Sequence, residues 1–126
     1  MTLQDSARAN IETYFDSGDF QRELATLVSR PTESQDPRGK PHLHAYLHDD
    51  MAPMLDAMGF TCQFHDNPVP DGPPILTAER IEDASLPTVL TYGHGDVVRA
   101  QEGQWREGLT PFELIEEGDR LYGRGS

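Results

Sequence analysis

The chain has 126 residues with 10 Lys+Arg against 22 Asp+Glu, so its length admits at most one ordinary domain and its formal net charge is −12. Lys40 is the only lysine, which excludes the clustered basic surface that nucleic acid requires and disfavours an anionic membrane face. Hydrophobic residues make up 36%, below the roughly 45–50% usual for a globular domain, and 11 Gly and 10 Pro add turns, so the expected core is thin. Cys62 is the single cysteine and has no partner within the chain, which fits a reducing compartment. The opening stretch to Phe20 carries Asp5, Glu12, Asp16 and Asp19 and no apolar leader, and no run approaches the roughly 18 apolar residues of a membrane span. The expectation is a soluble, cytoplasmic chain.

Leu3, Ala7, Ile11, Tyr14 and Phe15 recur at spacings of three and four, which predicts a helix ended by Ser17 and Gly18. A second, short helix places Phe20, Leu24, Leu27 and Val28 on one face and stops before Pro31. Pro31 to Pro41 reads as a loop. A third helix from about Pro41 to Met58 carries the stripe Leu43, Tyr46, Leu47, Met51, Met54, Leu55 and Met58, with Gly59 as its C-terminal cap. Pro53 inside that pattern either kinks the helix or opens a second piece after Ala52.

From Phe60 the period changes to two, with Phe60, Cys62 and Phe64 alternating with polar residues, which predicts a strand. Asn67 to Pro74 is a proline-rich loop, Ile75 to Arg80 a second strand and Leu86 to Tyr92 a third. The third is free of charge, as a strand covered on both faces would be. Phe112 to Ile115 and Arg120 to Tyr122, flanking Glu116-Glu117-Gly118-Asp119, predict a hairpin with glycine at its turn.

The densest chemical signal is Gly93-His94-Gly95-Asp96-Val97-Val98, directly after the apolar segment. Ligands gather at the carboxyl ends of strands in open α/β sheets, and flanking glycines leave the imidazole uncrowded. In extended backbone His94 and Asp96 project to the same side, where the carboxylate can accept one ring N–H and free the other nitrogen for a metal. A plain turn, with Asp96 capping the backbone and His94 merely exposed, is the competing account of the same residues.

Downstream stand Trp105, Pro111-Phe112 and Gly118-Asp119-Arg120-Leu121-Tyr122-Gly123-Arg124-Gly125-Ser126. With the His94 segment they resemble the opening of the catalytic domain in the co-catalytic zinc peptidase and amidohydrolase family of acetylornithine deacetylase, succinyl-diaminopimelate desuccinylase, carboxypeptidase G and carnosine-type dipeptidases. The resemblance is specific over positions 93 to 126. It implies His94 as a zinc ligand and Asp96 as the carboxylate that orients it and supports catalysis. Gly95 at the variable position, Arg99 in place of a common proline and Glu117-Gly118-Asp119 in place of the commoner order depart from the family pattern.

The resemblance also implies an α/β fold: N-terminal helices plus the first strands of a mixed-sheet zinc-peptidase catalytic domain. Residues 1–126 would be an incomplete N-terminal part of that domain, without the lid or dimerisation domain. The bridging Asp, the general-base Glu and the remaining ligands would lie beyond Ser126. The implied activity is metal-dependent hydrolysis of peptide or N-acyl amino acid amide bonds, with two Zn²⁺ per complete site and Co²⁺ or Mn²⁺ as substitutes. The complete enzyme would take a small peptide or N-acyl amino acid and would form a homodimer. One ligand of the about four that even one zinc takes leaves the isolated chain without turnover. The alternative is a non-catalytic truncated remnant, or an interaction or complementation fragment. A metallophosphoesterase is disfavoured, because its Gly-Asp-x-His-Gly order is not the order here.

Other clusters carry weaker signals. His44 and His48 have the spacing of a zincin helix, but Ala45 stands where the glutamate is required, and with His42, Asp49 and Asp50 they read as a solvated face. The methionine stripe reads as core, His65-Asp66 as surface and Cys62 as a buried structural thiol. Glu113, Glu116, Glu117 and Asp119 lack the spacing of a calcium loop, and Gly123 and Gly125 are too little for a dinucleotide fingerprint.

Overall fold

Thr2 opens the first helix as a capping box: its hydroxyl accepts from the Asp5 amide at 3.2 Å, and the Asp5 carboxylate accepts from the Thr2 amide at 2.8 Å. A computed structural model describes residues 2–126, which divide into two units, one formed by the chain up to Ser29 with Glu102–Ser126 and the other by Arg30–Gln101.

In the first unit, α1 spans Leu3–Asp16 and α2 spans Asp19–Val28, as the periodicity predicts. Gly18 makes the turn between them at φ +79°, a left-handed angle that favours glycine. Phe20 meets Tyr14 edge-on and Phe15 at a tilt, with ring centroids 6.2 and 5.7 Å apart. The predicted hairpin forms from β3, Ile115–Glu117, and β4, Arg120–Tyr122, in antiparallel register. Its strand begins later than the sequence pattern suggests, so Glu116 and Glu117 pair with Leu121 and Arg120 instead of turning. The turn itself is Gly118-Asp119, with the positive φ of +65° on its first residue, the pattern of a type II′ hairpin. Gly123 lies so close to the buried Val28 that a Cβ there would stand 2.7 Å from Cγ1 of that side chain.

In the second unit a short 3-10 turn, Pro37–Gly39, occupies part of the predicted loop, and Asp36 caps it by accepting from the Arg38 amide at 2.9 Å. The third helix is one continuous helical run in three parts. α3 covers Lys40–Ala45, a π-helical stretch covers Tyr46–Met51 and α4 covers Ala52–Ala57. Proline lacks an N–H and its ring crowds the carbonyl four residues back, so the wider π turn just before Pro53 accommodates both defects without ending the helix. β1, Thr61–His65, and β2, Ile75–Glu79, pair antiparallel with Cys62 opposite Ala78 and Phe64 opposite Leu76. The Cys62 thiol is half-buried, with Sγ 3.8 Å from the Ala52 carbonyl, and not fully enclosed as the strand pattern predicts. His48 stacks on Phe64 with centroids 3.7 Å apart and faces His44, so His48 packs against β1.

Mixed helix and strand is therefore the observed class, with two small antiparallel sheets and helices. The expected third strand does not form among the described residues: Leu86 to Tyr92 pairs with nothing, and Val89, Leu90 and Tyr92 are 83, 93 and 90% exposed. A charge-free run satisfies the composition of a doubly covered strand, but the ladder needs neighbours, and Pro87 also removes one of its donors. The buried apolar side chains among the described residues are Val28 and Ala100, consistent with the thin core expected from composition. No helix among the described residues is long and apolar enough to cross a membrane.

Candidate functional site

His94 and Asp96 meet as their spacing predicts. The imidazole Nδ1 lies 2.9 Å from Asp96 Oδ1 and 3.1 Å from the Asp96 carbonyl oxygen. With the carboxylate ionised and the ring neutral, this contact assigns the proton to Nδ1 as donor to Asp96, the tautomer in which the Nε2 lone pair is available. The His94 side chain is 66% exposed and that of Asp96 40%, so the pair lies open at the surface of the second unit. The Ser34 hydroxyl, and after it the His94 ring, hold the Asp96 carboxyl below its ordinary range against the opposing effect of partial burial.

What holds the pair differs from the strand-end placement that the sequence implies. The segment before His94 is exposed and irregular, and the order comes instead from residues 32 to 34. Thr32 Oγ1 donates to the Gly95 carbonyl at 2.6 Å, and the Val97 amide donates to the Thr32 carbonyl at 2.9 Å. Glu33 and Val97 form a parallel bridge, and the Glu33 carboxylate accepts from the Ala100 amide. Tyr46 closes the other side, its ring lying where a Cβ on Gly95 would come 2.1 Å from Cε1. Burial, with the Asp50 charge adding to it, pushes the Tyr46 phenol up.

Asp50 corrects the reading of its helix face as solvated. Its side chain is 5% exposed and receives both Nε and Nη2 of Arg30, at 2.6 and 3.0 Å, a bidentate pair whose two-point geometry also fixes the helix against the start of the unit. Thr32, Ser34, Tyr46 and Arg30 carry no sequence signal that separates them from ordinary loop and helix residues. Their partners lie as far as 63 residues away along the chain.

The zinc that the resemblance implies finds one suitable ligand position here. An exposed imidazole whose second nitrogen is held by a carboxylate has the arrangement of a metal-binding histidine. Among the described residues, however, no group of three or more His, Cys, Asp or Glu side chains converges to hold a metal ion, so the donor set does not fit a complete zinc site. The residues Trp105, Pro111-Phe112 and 118–126 belong to the other unit, where Arg124 stacks over the Trp105 ring at 5.1 Å and Arg106 over that of Tyr122 at 5.2 Å.

No protein-family model matches the chain. The Beta-Ala-His dipeptidase of Mus musculus is 48% identical over 65 residues, a match covering 46% of this chain and 13% of the mouse protein. The Rattus norvegicus protein of the same name is 46% identical over 65 residues, again 46% of this chain and 13% of the relative. The Homo sapiens protein of that name is 43% identical over 65 residues, covering 46% of this chain and 12% of the relative. The matched stretch thus spans about an eighth of the length of these curated relatives. Over that part of its length, the chain is linked to peptide hydrolases of the dipeptidase family.

Proposed function

We propose that the chain supplies the His94–Asp96 part of a metal-dependent hydrolase of peptide or N-acyl amino acid amide bonds, and that the chain alone turns over no substrate. The observation that carries this reading is the 2.9 Å contact between His94 Nδ1 and Asp96 Oδ1 on an exposed ring, the arrangement that in the neutral imidazole keeps Nε2 free for a metal. The partial identity to Beta-Ala-His dipeptidases supports the substrate class. In this reading Asp96 holds the Nδ1 proton and the ring orientation, and His94 offers one metal ligand. Zinc is the favoured metal, with Co²⁺ or Mn²⁺ as substitutes. The small number of matched ligands supports the view that other residues of a longer enzyme must complete the centre.

The test offers β-alanyl-histidine, a second dipeptide and an N-acetyl amino acid to the chain with Zn²⁺, Co²⁺ or Mn²⁺. The expected result is no turnover above metal-only controls, and only weak zinc binding by calorimetry. Turnover abolished by His94→Ala in the bare chain overturns the claim of incompleteness. In an active longer polypeptide that carries this sequence, full activity of His94→Ala overturns the site assignment.

A non-catalytic reading has one observation in its favour, the exposed run Leu86 to Tyr92, which joins no strand among the described residues and suits a complementation fragment. Sedimentation separates the two: a stable hetero-assembly without hydrolytic activity favours this second reading.

A further inference from the structure

We propose that Thr32 and Glu33 form a positioning clamp that presets the His94–Asp96 pair, with Thr32 as its central residue. The inference rests on taking His94 and Asp96 as the functional pair, and it names what orders them. Glycines flank His94, and a Cβ on Gly93 would meet nothing within 4 Å, so neither local propensity nor packing at Gly93 orients the imidazole. The chain from Ile81 to Gly93 is exposed and irregular, so it supplies no rigid lead-in. Order has to enter from the other side of the pair.

It enters through one side chain and one backbone. Thr32 is 2% exposed, and its hydroxyl is satisfied by the Gly95 carbonyl at 2.6 Å, a bond whose loss would leave a buried polar group unpaired. Its own carbonyl accepts from Val97 at 2.9 Å. The two bonds bracket Asp96, fixing the peptide on each side of it and hence the direction of its Cβ. Glu33 secures the exit by accepting from Ala100. His94 is held in turn through Nδ1, so the clamp determines which ring nitrogen is left bare. Thr32 therefore acts through Asp96 on His94 and touches no reacting atom.

The tautomer of His94 reads this out without metal or substrate. ¹⁵N NMR of the imidazole at pH 8, with the resonances assigned by their loss in His94→Gln, is expected to show protonated Nδ1 and bare Nε2. Thr32→Val keeps the volume and removes the donor, and it is expected to abolish the Nδ1–H signature while far-UV circular dichroism stays native. Thr32→Ser, which restores the hydroxyl, is expected to restore the signature. An unchanged tautomer in folded Thr32→Val overturns the clamp, as does an Nε2–H tautomer in the unsubstituted chain. If Thr32→Val does not fold, Glu33→Ala decides in the same way: a weakened Nδ1–H signature supports the clamp and an unchanged one overturns it. Failure of the hydrolase reading appears separately, as full activity of His94→Ala in a longer active protein, and does not move the tautomer.

Discussion

The ring of Tyr46 lies against Gly95 so closely that a Cβ on the glycine would stand 2.1 Å from Cε1, below any real carbon contact. Tyr46 belongs to the π-helical stretch and Gly95 to the His94 segment, so helix and candidate site pack only because position 95 has no side chain. Gly95→Ala is expected to destabilise the second unit by about 1–3 kcal/mol, the usual range for overpacking. Urea unfolding of Gly95→Ala, Tyr46→Ala and the double variant is the check. The double variant should lose less than the sum of the two singles, because one substitution relieves the clash that the other creates. Strict additivity would show that the contact does not operate.

Arg30 and Asp50 give a second expectation. Removing the guanidinium leaves a carboxylate of 5% exposure without its bidentate partner, and Arg30→Ala is expected to cost about 2–3 kcal/mol. That is below the range for fully buried pairs, because the Arg30 side chain keeps 30% exposure. Arg30→Lys, which retains charge but not the two-point geometry, should lose part of this. Equal urea midpoints for Arg30→Ala and the unsubstituted chain would contradict it.

Asp36 has a clear pH signature. Hydrogen bonds from the Arg38 guanidinium and amide, aided by the charge of Arg99, hold its carboxyl down to about 2. Because the folded value is depressed, the stabilisation it confers is complete above the ordinary aspartate range near ~3.9 and is lost as pH falls through about 2. A carboxyl-carbon NMR titration should find that low midpoint, and Arg38→Ala should move it up toward ~3.9. An Asp36 midpoint near ~3.9 in the unsubstituted chain would remove the basis for the 3-10 turn as an ordered cap.

In the hairpin, Gly118 sits at φ +65°, where an L side chain is strained. Gly118→Ala is expected to cost about 1 kcal/mol, and Gly118→Asn less, because asparagine tolerates left-handed angles better. Thermal melts of the two variants give the order directly, and Ala at or above Asn would reverse the assignment of the turn.

Local pattern was sufficient for much of this architecture. The spacing of Leu3, Ala7 and Ile11, the Gly18 break, the alternation at Phe60 to Phe64 and the glycine turn before Arg120 each produced the element they predict, because each signal acts within a few residues. Pro53 marked the defect in the long helix but not its form, since a kink, a break and a π turn all relieve the same clash. The Leu86 to Tyr92 run failed as a strand for the converse reason: composition records how a segment would be covered, while pairing depends on what lies beside it.

The candidate site divides along the same line. The two-residue spacing of His94 and Asp96 put imidazole and carboxylate within possible reach of each other, and they meet at 2.9 Å. The tertiary structure decided what orders them: Thr32 across 63 residues on the Gly95 carbonyl, the Val97 amide on the Thr32 carbonyl and Tyr46 against Gly95. Those contacts join segments whose separation along the chain carries no periodic signal. Their energy comes from satisfying the buried Thr32 hydroxyl and from close packing that only the folded chain brings together.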